Sequence, residues 1–268
     1  MLYTGTNKLL SHLSAPDRSL VVRHLRRFVL IPGDVLHVPH EPVSHIYFPQ
    51  CGMLCVVVAF SDGSWAEAAV AGSNTVVGAI AAVGDETALN RLVVLVPGVA
   101  DRIEAGILRR LARESESLRD VLIRHSQALA AQSVQIAGCN AVHALEARLC
   151  RWLLQCRDLL NTYTLPFTQE LVSSMLGVYR PSLTQVLRKL ESARIVGVSR
   201  GKIHILDASR LEECSCECYA TIKEQIEPLI GVTGVDAAHR RLEPSHIHLP
   251  RAPTSPRRSR SVERRPAE

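Results

Sequence analysis

The spacing of apolar residues changes character several times along the chain, and the changes divide it. From about 7 to 27, Leu9, Leu10, Leu13, Leu20, Val21, His24 and Leu25 recur at helical intervals. From Phe28 to about Ile103 the pattern is short apolar runs: FVLI, IYF, MLCVVVAF and LVVLV. They are broken by Pro32-Gly33-Asp34, by Pro49, by Ser61-Asp62-Gly63-Ser64 and by Pro97-Gly98. Short strands punctuated this regularly predict a β-barrel or β-roll. Near Glu104 the helical period returns. It predicts a short helix around Ile107, Leu108 and Leu111, a long one from about Ser117, and another from about Leu145.

On the long helix, Leu118, Leu122, His125, Leu129, Gln132 and Ile136 follow a four-three spacing, the seam of a coiled coil with two polar positions. Such a seam needs a partner. A symmetric homodimer is the expected one, and docking on the chain's own β domain is the alternative. On the following helix, Leu149, Trp152, Leu153 and Cys156 are expected to pack under the next unit.

That unit, 167–206, reads FTQELVSSMLGVYRPSLTQVLRKLESARIVGVSRGKIHIL. Thr168 stands at a helix cap, and Leu171, Val172 and Met175 form one apolar face. Gly177 supplies a tight turn, with Val178 at the corner. A second helix begins near Arg180, where Pro181 is tolerated because first-turn amides have no intrahelical partner. Leu183, Val186, Leu187 and Leu190 face inward; Ser182, Thr184, Gln185, Arg188 and Lys189 remain outside. A strand, the turn Arg200-Gly201 and a second strand complete a winged helix-turn-helix pattern. Between 179 and 204 there are six Lys or Arg against one acid, Glu191, so the unit is basic where phosphate would be met. A further helix is expected from 208 to about 230. Residues 231–268 are rich in Pro, Ser and Arg without apolar period, and a disordered tail is expected, with non-specific nucleic-acid contact as its functional reading.

Composition narrows the class. The chain has 268 residues, 47% hydrophobic and 21% charged, with net charge +5, which is globular rather than disordered. No secretory leader and no apolar run approaching the ~20 residues of a membrane helix are visible. A cytoplasmic location and no membrane partner are therefore expected, with the eight Cys mostly free thiols.

Taken together, these features resemble the Crp/Fnr family of bacterial transcription regulators. The segment TQELVSSMLGVYRPSLTQVLRKLESARIVGVSRGKIHILD is similar to that family's TQEELA-LLGVSRETVSRVLKxLExxGLI-RGxIxILD. PGDVLHVPHEPVSHIYFPQCGMLCVV is similar to its opening strands. LEARLCRWLL, with CECY ending at Tyr219, resembles a less studied branch. The resemblance implies an α+β fold: a cyclic-nucleotide-binding-like β-roll (1–112), a dimerisation helix with linker helix (113–160), a winged helix-turn-helix (161–230) and the tail (231–268). It implies a homodimer on double-stranded DNA, reading a pseudo-palindrome with half-sites about one turn (~34 Å) apart, and a contact with RNA polymerase.

Carried over by position, the base-contacting places fall on Arg180, Pro181 and Gln185. Arg180 matches the family arginine and suits bidentate contact to guanine. Pro181 stands where a Glu is common and Gln185 where an Arg is common, so a different site is expected. Tyr179, Ser182 and Thr184 are expected to bond phosphates; Arg188, Arg200 and Lys202 to neutralise them. The rival reading is a ligand-binding or protein-interaction module whose helix-turn-helix only packs. An enzyme is not expected: His37, His40 and His45 lack a partnered nucleophile, and no phosphate loop is present.

The family's nucleotide pocket uses Gly-Glu-Leu and then Arg-Ser/Thr-Ala. Here VVGAIAAVGDETALNRLVVLV places Ala79 after Gly78 and Leu92 after Arg91. Two polar groups are missing, so an effector other than cAMP is expected at Gly78 and Arg91. No cysteine precedes Cys51, which excludes an N-terminal cluster of thiol ligands. Cys214, Cys216 and Cys218 form C-x-C-x-C, which suits zinc or a redox switch. On one continuous helix, however, Cys216 would face away, and no fourth ligand is near in sequence. No metal and no cofactor are assigned on this reading.

Overall fold

The computed structural model describes residues 7–231; the Pro- and Arg-rich tail lies outside the described residues. The chain opens with two short helices, α1 (Lys8–His12) and α2 (Ala15–Val22), where periodicity predicts one. They break because Ser14 and Pro16 start a new helix: the Ser14 hydroxyl caps the Asp17 amide, and Pro16 lies in the first turn. Asn7 caps α1 with its side-chain oxygen and sends its amide protons to the Pro49 and Thr75 carbonyls, both at 2.8 Å.

Five antiparallel strands follow: β1 (Arg26–Leu30), β2 (Val35–His37), β3 (His45–Ala59), β4 (Trp65–Ala71) and β5 (Arg91–Glu104). Their order is β1-β5-β3-β4, with β2 also on β5. Pro49 and Pro97-Gly98, which appear as strand ends in sequence, lie inside the long bent strands β3 and β5. The register shifts repeatedly between Pro49 and Leu54, which absorbs the proline and bends the pair. Gly52 (φ +84°) and Gly98 meet at the crossing. A Cβ on Gly98 would lie 2.2 Å from the Cys51 carbonyl oxygen, so only glycine fits.

A one-turn helix, α3 (Ile80–Val83), lies within the roll. Three helices then leave it: α4 (Ala105–Glu114), α5 (Glu116–Val142) and α6 (Leu145–Leu160). Asp17 ties α2 to the start of α5, accepting hydroxyl protons from Ser115 at 2.5 Å and Ser117 at 2.6 Å.

The apolar seam of α5 is used differently from the expected dimer. Leu118, Leu122, His125, Gln132 and Ile136 are buried against the chain's own roll and helices. The Val70 amide of β4 donates to Gln132 Oε1 at 3.0 Å. Docking on its own domain, the alternative, accounts for this stripe. Periodicity shows that a helix buries one face; it does not show against what. The opposite face is left outward, with Val134 73% exposed.

The C-terminal part contains β6 (Thr164–Leu165), α7 (Gln169–Leu176), α8 (Arg180–Ser192), β7 (Val196–Ser199) and β8 (Lys202–Ile205). Its three strands pair in the order β6-β8-β7. The helix expected from 208 to 230 is two helices, α9 (Ala208–Glu213) and α10 (Cys218–Gly231), with residues 214–217 between them. One apolar cluster runs from Met53, Cys55 and Val57 of the roll through Trp152 and Phe167 to Met175, Leu183 and Leu187. No helix among the described residues is long and apolar enough to cross a membrane.

Candidate nucleic-acid interface

The helix pair forms by local rules. The Thr168 hydroxyl accepts from the Leu171 amide at 3.1 Å and starts α7. Gly177, at φ +61° and ψ +44°, closes it, and the Val178 amide returns to the Ser173 carbonyl at 3.0 Å. Leu183, Leu187 and Leu190 bury one stripe of α8. Arg180, Pro181, Gln185 and Arg188 form the solvent stripe opposite, with Tyr179 76% exposed just before them.

The wing stands beside this stripe, with Arg200 and Lys202 both exposed at its tip. Gly201 takes φ +71° at the turn. Among the described residues, Arg180, Arg188, Arg200 and Lys202 have no ion-pair partner, while Lys189 is held back by Glu146 of α6 at 2.5 Å. The one acid between 179 and 204, Glu191, accepts from the Val198 amide at 2.9 Å. The outer face is therefore cationic, because its one carboxylate is turned to an internal bond. Ser182 is exposed. Thr184 is half-buried, and its hydroxyl lies 2.9 Å from Gln169 Oε1 and 3.0 Å from the Arg180 carbonyl. It braces α8 against α7, and a phosphate would compete for that one proton.

Gly78 and Arg91 come together in the roll. Both line a cavity of about 340 Å³ beneath α5, with Val56, Val76, Leu92 and Leu129 supplying much of its wall. A Cβ at Gly78 (φ +87°) would meet His37 Cε1 at 2.6 Å. Arg91 Nε is buried and has no hydrogen-bond partner among the described residues. Ala79 and Leu92 are buried apolar groups here. Glu86 pairs with Arg109 of α4 instead of facing a ligand. His37 Nε2 donates to the His45 carbonyl, 2.9 Å away, and burial holds its pKa below the usual histidine range. His40 stands at φ +68° in the turn after β2.

Residues 147–214, from within α6 to the end of α9, match the family of Crp-like helix-turn-helix domains. No curated protein sequence matches the chain. Several solved structures share its fold. A putative Crp/Fnr-family transcriptional regulator from Eubacterium rectale superposes with a TM-score of 0.63 at 19% identity, over 77% of this chain and 96% of its own. FixK2 from Bradyrhizobium japonicum gives 0.62 at 13%, over 72% and 98%. The c-di-GMP responsive regulator CLP from Xanthomonas campestris gives 0.60 at 15%, over 72% and 99%. The architecture is thus that of the Crp/Fnr regulators: antiparallel roll, long helix, winged helix-turn-helix. With its Crp-like helix-turn-helix domain, the chain is a DNA-binding transcription regulator.

Proposed function

We propose that two copies of the chain bind a pseudo-palindromic duplex, each inserting α8 into a major groove with Arg180 contacting guanine. The observation that carries this is the outward stripe Arg180, Pro181, Gln185 and Arg188, whose arginines are unpaired among the described residues and stand next to a cationic wing. Arg at a helix start suits the O6 and N7 acceptors of guanine, and Gln185 suits adenine. Tyr179, Ser182, Arg188, Arg200 and Lys202 would fix register on phosphates. Half-sites one turn (~34 Å) apart follow from the two-fold arrangement. The outward face of α5, with Ile123, Ala130, Val134 and Ala137, is where a second copy would pack; small residues there permit close approach of two helices. The cavity at Gly78 and Arg91 would take a small, largely apolar effector with one anionic group. Its walls carry no carboxylate in place of the missing ribose partner, so cAMP is a poor fit. A contact with RNA polymerase belongs to the same reading.

Selection from random duplex DNA tests it. Wild type should enrich a two-fold symmetric sequence, and Arg180→Ala should lose preference at one position per half-site, about 1–3 kcal/mol. An unchanged preference would remove Arg180 as the reader.

A further inference from the structure

Four ligand-type side chains from distant parts of the sequence converge where α5 ends. Cys139 and His143 lie one turn apart at the end of α5, so they share a face. Cys216 and Cys218 come from the 214–217 break and the first residue of α10. The three sulfurs and a ring nitrogen of His143 all lie within 4.8 Å of one another. Cys139 Sγ is 3.5 Å from Cys216 Sγ, and Cys218 Sγ is 3.5 Å from His143 Nδ1. Around a tetrahedral zinc ion, with Zn–S near 2.3 Å and Zn–N near 2.0 Å, ligand atoms stand about 3.8 Å (S to S) and about 3.5 Å (S to N) apart. The observed separations are close to those edges, and all eight cysteines are free thiols. The break between α9 and α10 is what allows this. On one continuous helix Cys216 and Cys218 would diverge, whereas here both sulfurs turn to the same point.

The surroundings suit a metal. His143 Nε2 stands 3.2 Å from Glu217 Oε1, which fixes the ring and leaves Nδ1 for the cluster. Gln135 Nε2 donates to Cys218 Sγ at 3.1 Å, a bond that supports a thiolate. Cys139, Cys216 and Cys218 are buried, 1%, 7% and 1% exposed, so an ion would be shielded from water. Arg151 of α6, whose positive charge acts on Cys139, would offset the net negative charge of three thiolates and a divalent ion.

We propose that Cys139, His143, Cys216 and Cys218 form a Cys3His site for one zinc ion. Three thiolates and an imidazole in a tetrahedral set favour zinc, and four protein ligands leave no open position, so the role is structural. The ion would clamp the end of α5 and the two-residue link 143–144 to the chain beyond the wing. All four ligands lie outside the segment 147–214 that matches the helix-turn-helix family, and the site does not depend on how α8 reads DNA.

The test uses the full chain with metal alone. Protein purified without chelators should contain close to one zinc per chain. Stripped under reductant and titrated with Co²⁺, it should bind one equivalent with the spectrum of tetrahedral thiolate coordination, and Zn²⁺ should displace it. Chelation should lower the melting temperature. Cys216→Ser and His143→Ala should each weaken Co²⁺ binding at least ~10-fold, whereas Cys214→Ser, which alters the cysteine of C-x-C-x-C outside the cluster, should bind as wild type. If the ligand variants fail to fold, wild type and Cys214→Ser still decide. Folded wild type that takes up no Co²⁺ with all thiols reduced overturns the site, as does a Cys139–Cys216 disulfide that persists under reductant, or a coloured iron cluster in place of zinc.

Discussion

The Val198 amide donates to Glu191 Oε1 at 2.9 Å, and this bond ties the wing to the last turns of α8. It sets the position of the wing tip relative to the helix stripe. It also takes the only carboxylate of 179–204 away from the outward stripe of α8.

Glu191→Gln keeps an acceptor for Val198 and removes the charge. Thermal stability should hold, and affinity for any duplex should rise at low salt. Glu191→Ala also leaves the Val198 amide without its acceptor and should cost about 1–2 kcal/mol in denaturant unfolding. A Gln variant as unstable as the Ala variant would show that the charge, and not the hydrogen bond, holds the wing.

Lys202 stands at the wing tip with no ion-pair partner among the described residues. Lys202→Ala should weaken all duplexes alike and reduce the slope of log K against log salt by about 0.9. Filter binding or fluorescence anisotropy from low to moderate salt gives the slope. Loss of preference for a single base would instead make Lys202 a reader.

The two faces of α5 should separate in mutagenesis. Val134→Arg places a charge on the outward face and should shift a dimer toward monomer in sedimentation, with little change in unfolding of the chain itself. Gln132→Ala removes the acceptor of the buried Val70 amide and should cost about 1–3 kcal/mol without affecting association directly. The reverse outcome would restore the buried stripe as the dimer seam.

Asp17 gives a pH dependence with a definite sign. Burial alone would raise its pKa, but hydroxyls of Ser115, Ser117 and Ser14 outweigh it and hold the carboxyl below the usual range. A carboxylate depressed on folding adds stability that is complete above its unfolded pKa of about 3.9 and is lost as pH falls through the folded value. Asp17→Asn cannot accept all three hydroxyls and should cost about 1–3 kcal/mol near neutral pH. The gap from wild type should close as the pH falls below about 4. A gap independent of pH would assign the loss to packing.

Much of the reading head is legible in the sequence because its signals are local. Thr168, Gly177 and Pro181 act within a few residues, and the apolar stripes of α7 and α8 fall where the periods place them. Less legible is whatever depends on distant partners. Pro49 looks like a strand end until a bulged partner strand accommodates it. The α5 stripe shows a buried face without naming the surface that covers it. On an unbroken helix C-x-C-x-C diverges and has no fourth ligand nearby in sequence, because Cys139 and His143 lie more than 70 residues upstream of Cys216 and Cys218. No spacing rule joins residues so far apart. The Arg180 position and the change of pocket residues were visible only through resemblance to a family; the residues themselves gave a basic helix and a glycine turn.

The apolar cluster that runs unbroken from Met53 and Cys55 through Trp152 to Met175 and Leu187 bears on how the molecule comes apart. Cys55 Sγ and Met175 Sδ lie 3.9 Å from each other across it. Because roll and helix pair share this cluster, neither can melt without opening the other's interior to water. Heat should therefore take both in one calorimetric peak, with equal van't Hoff and calorimetric enthalpies.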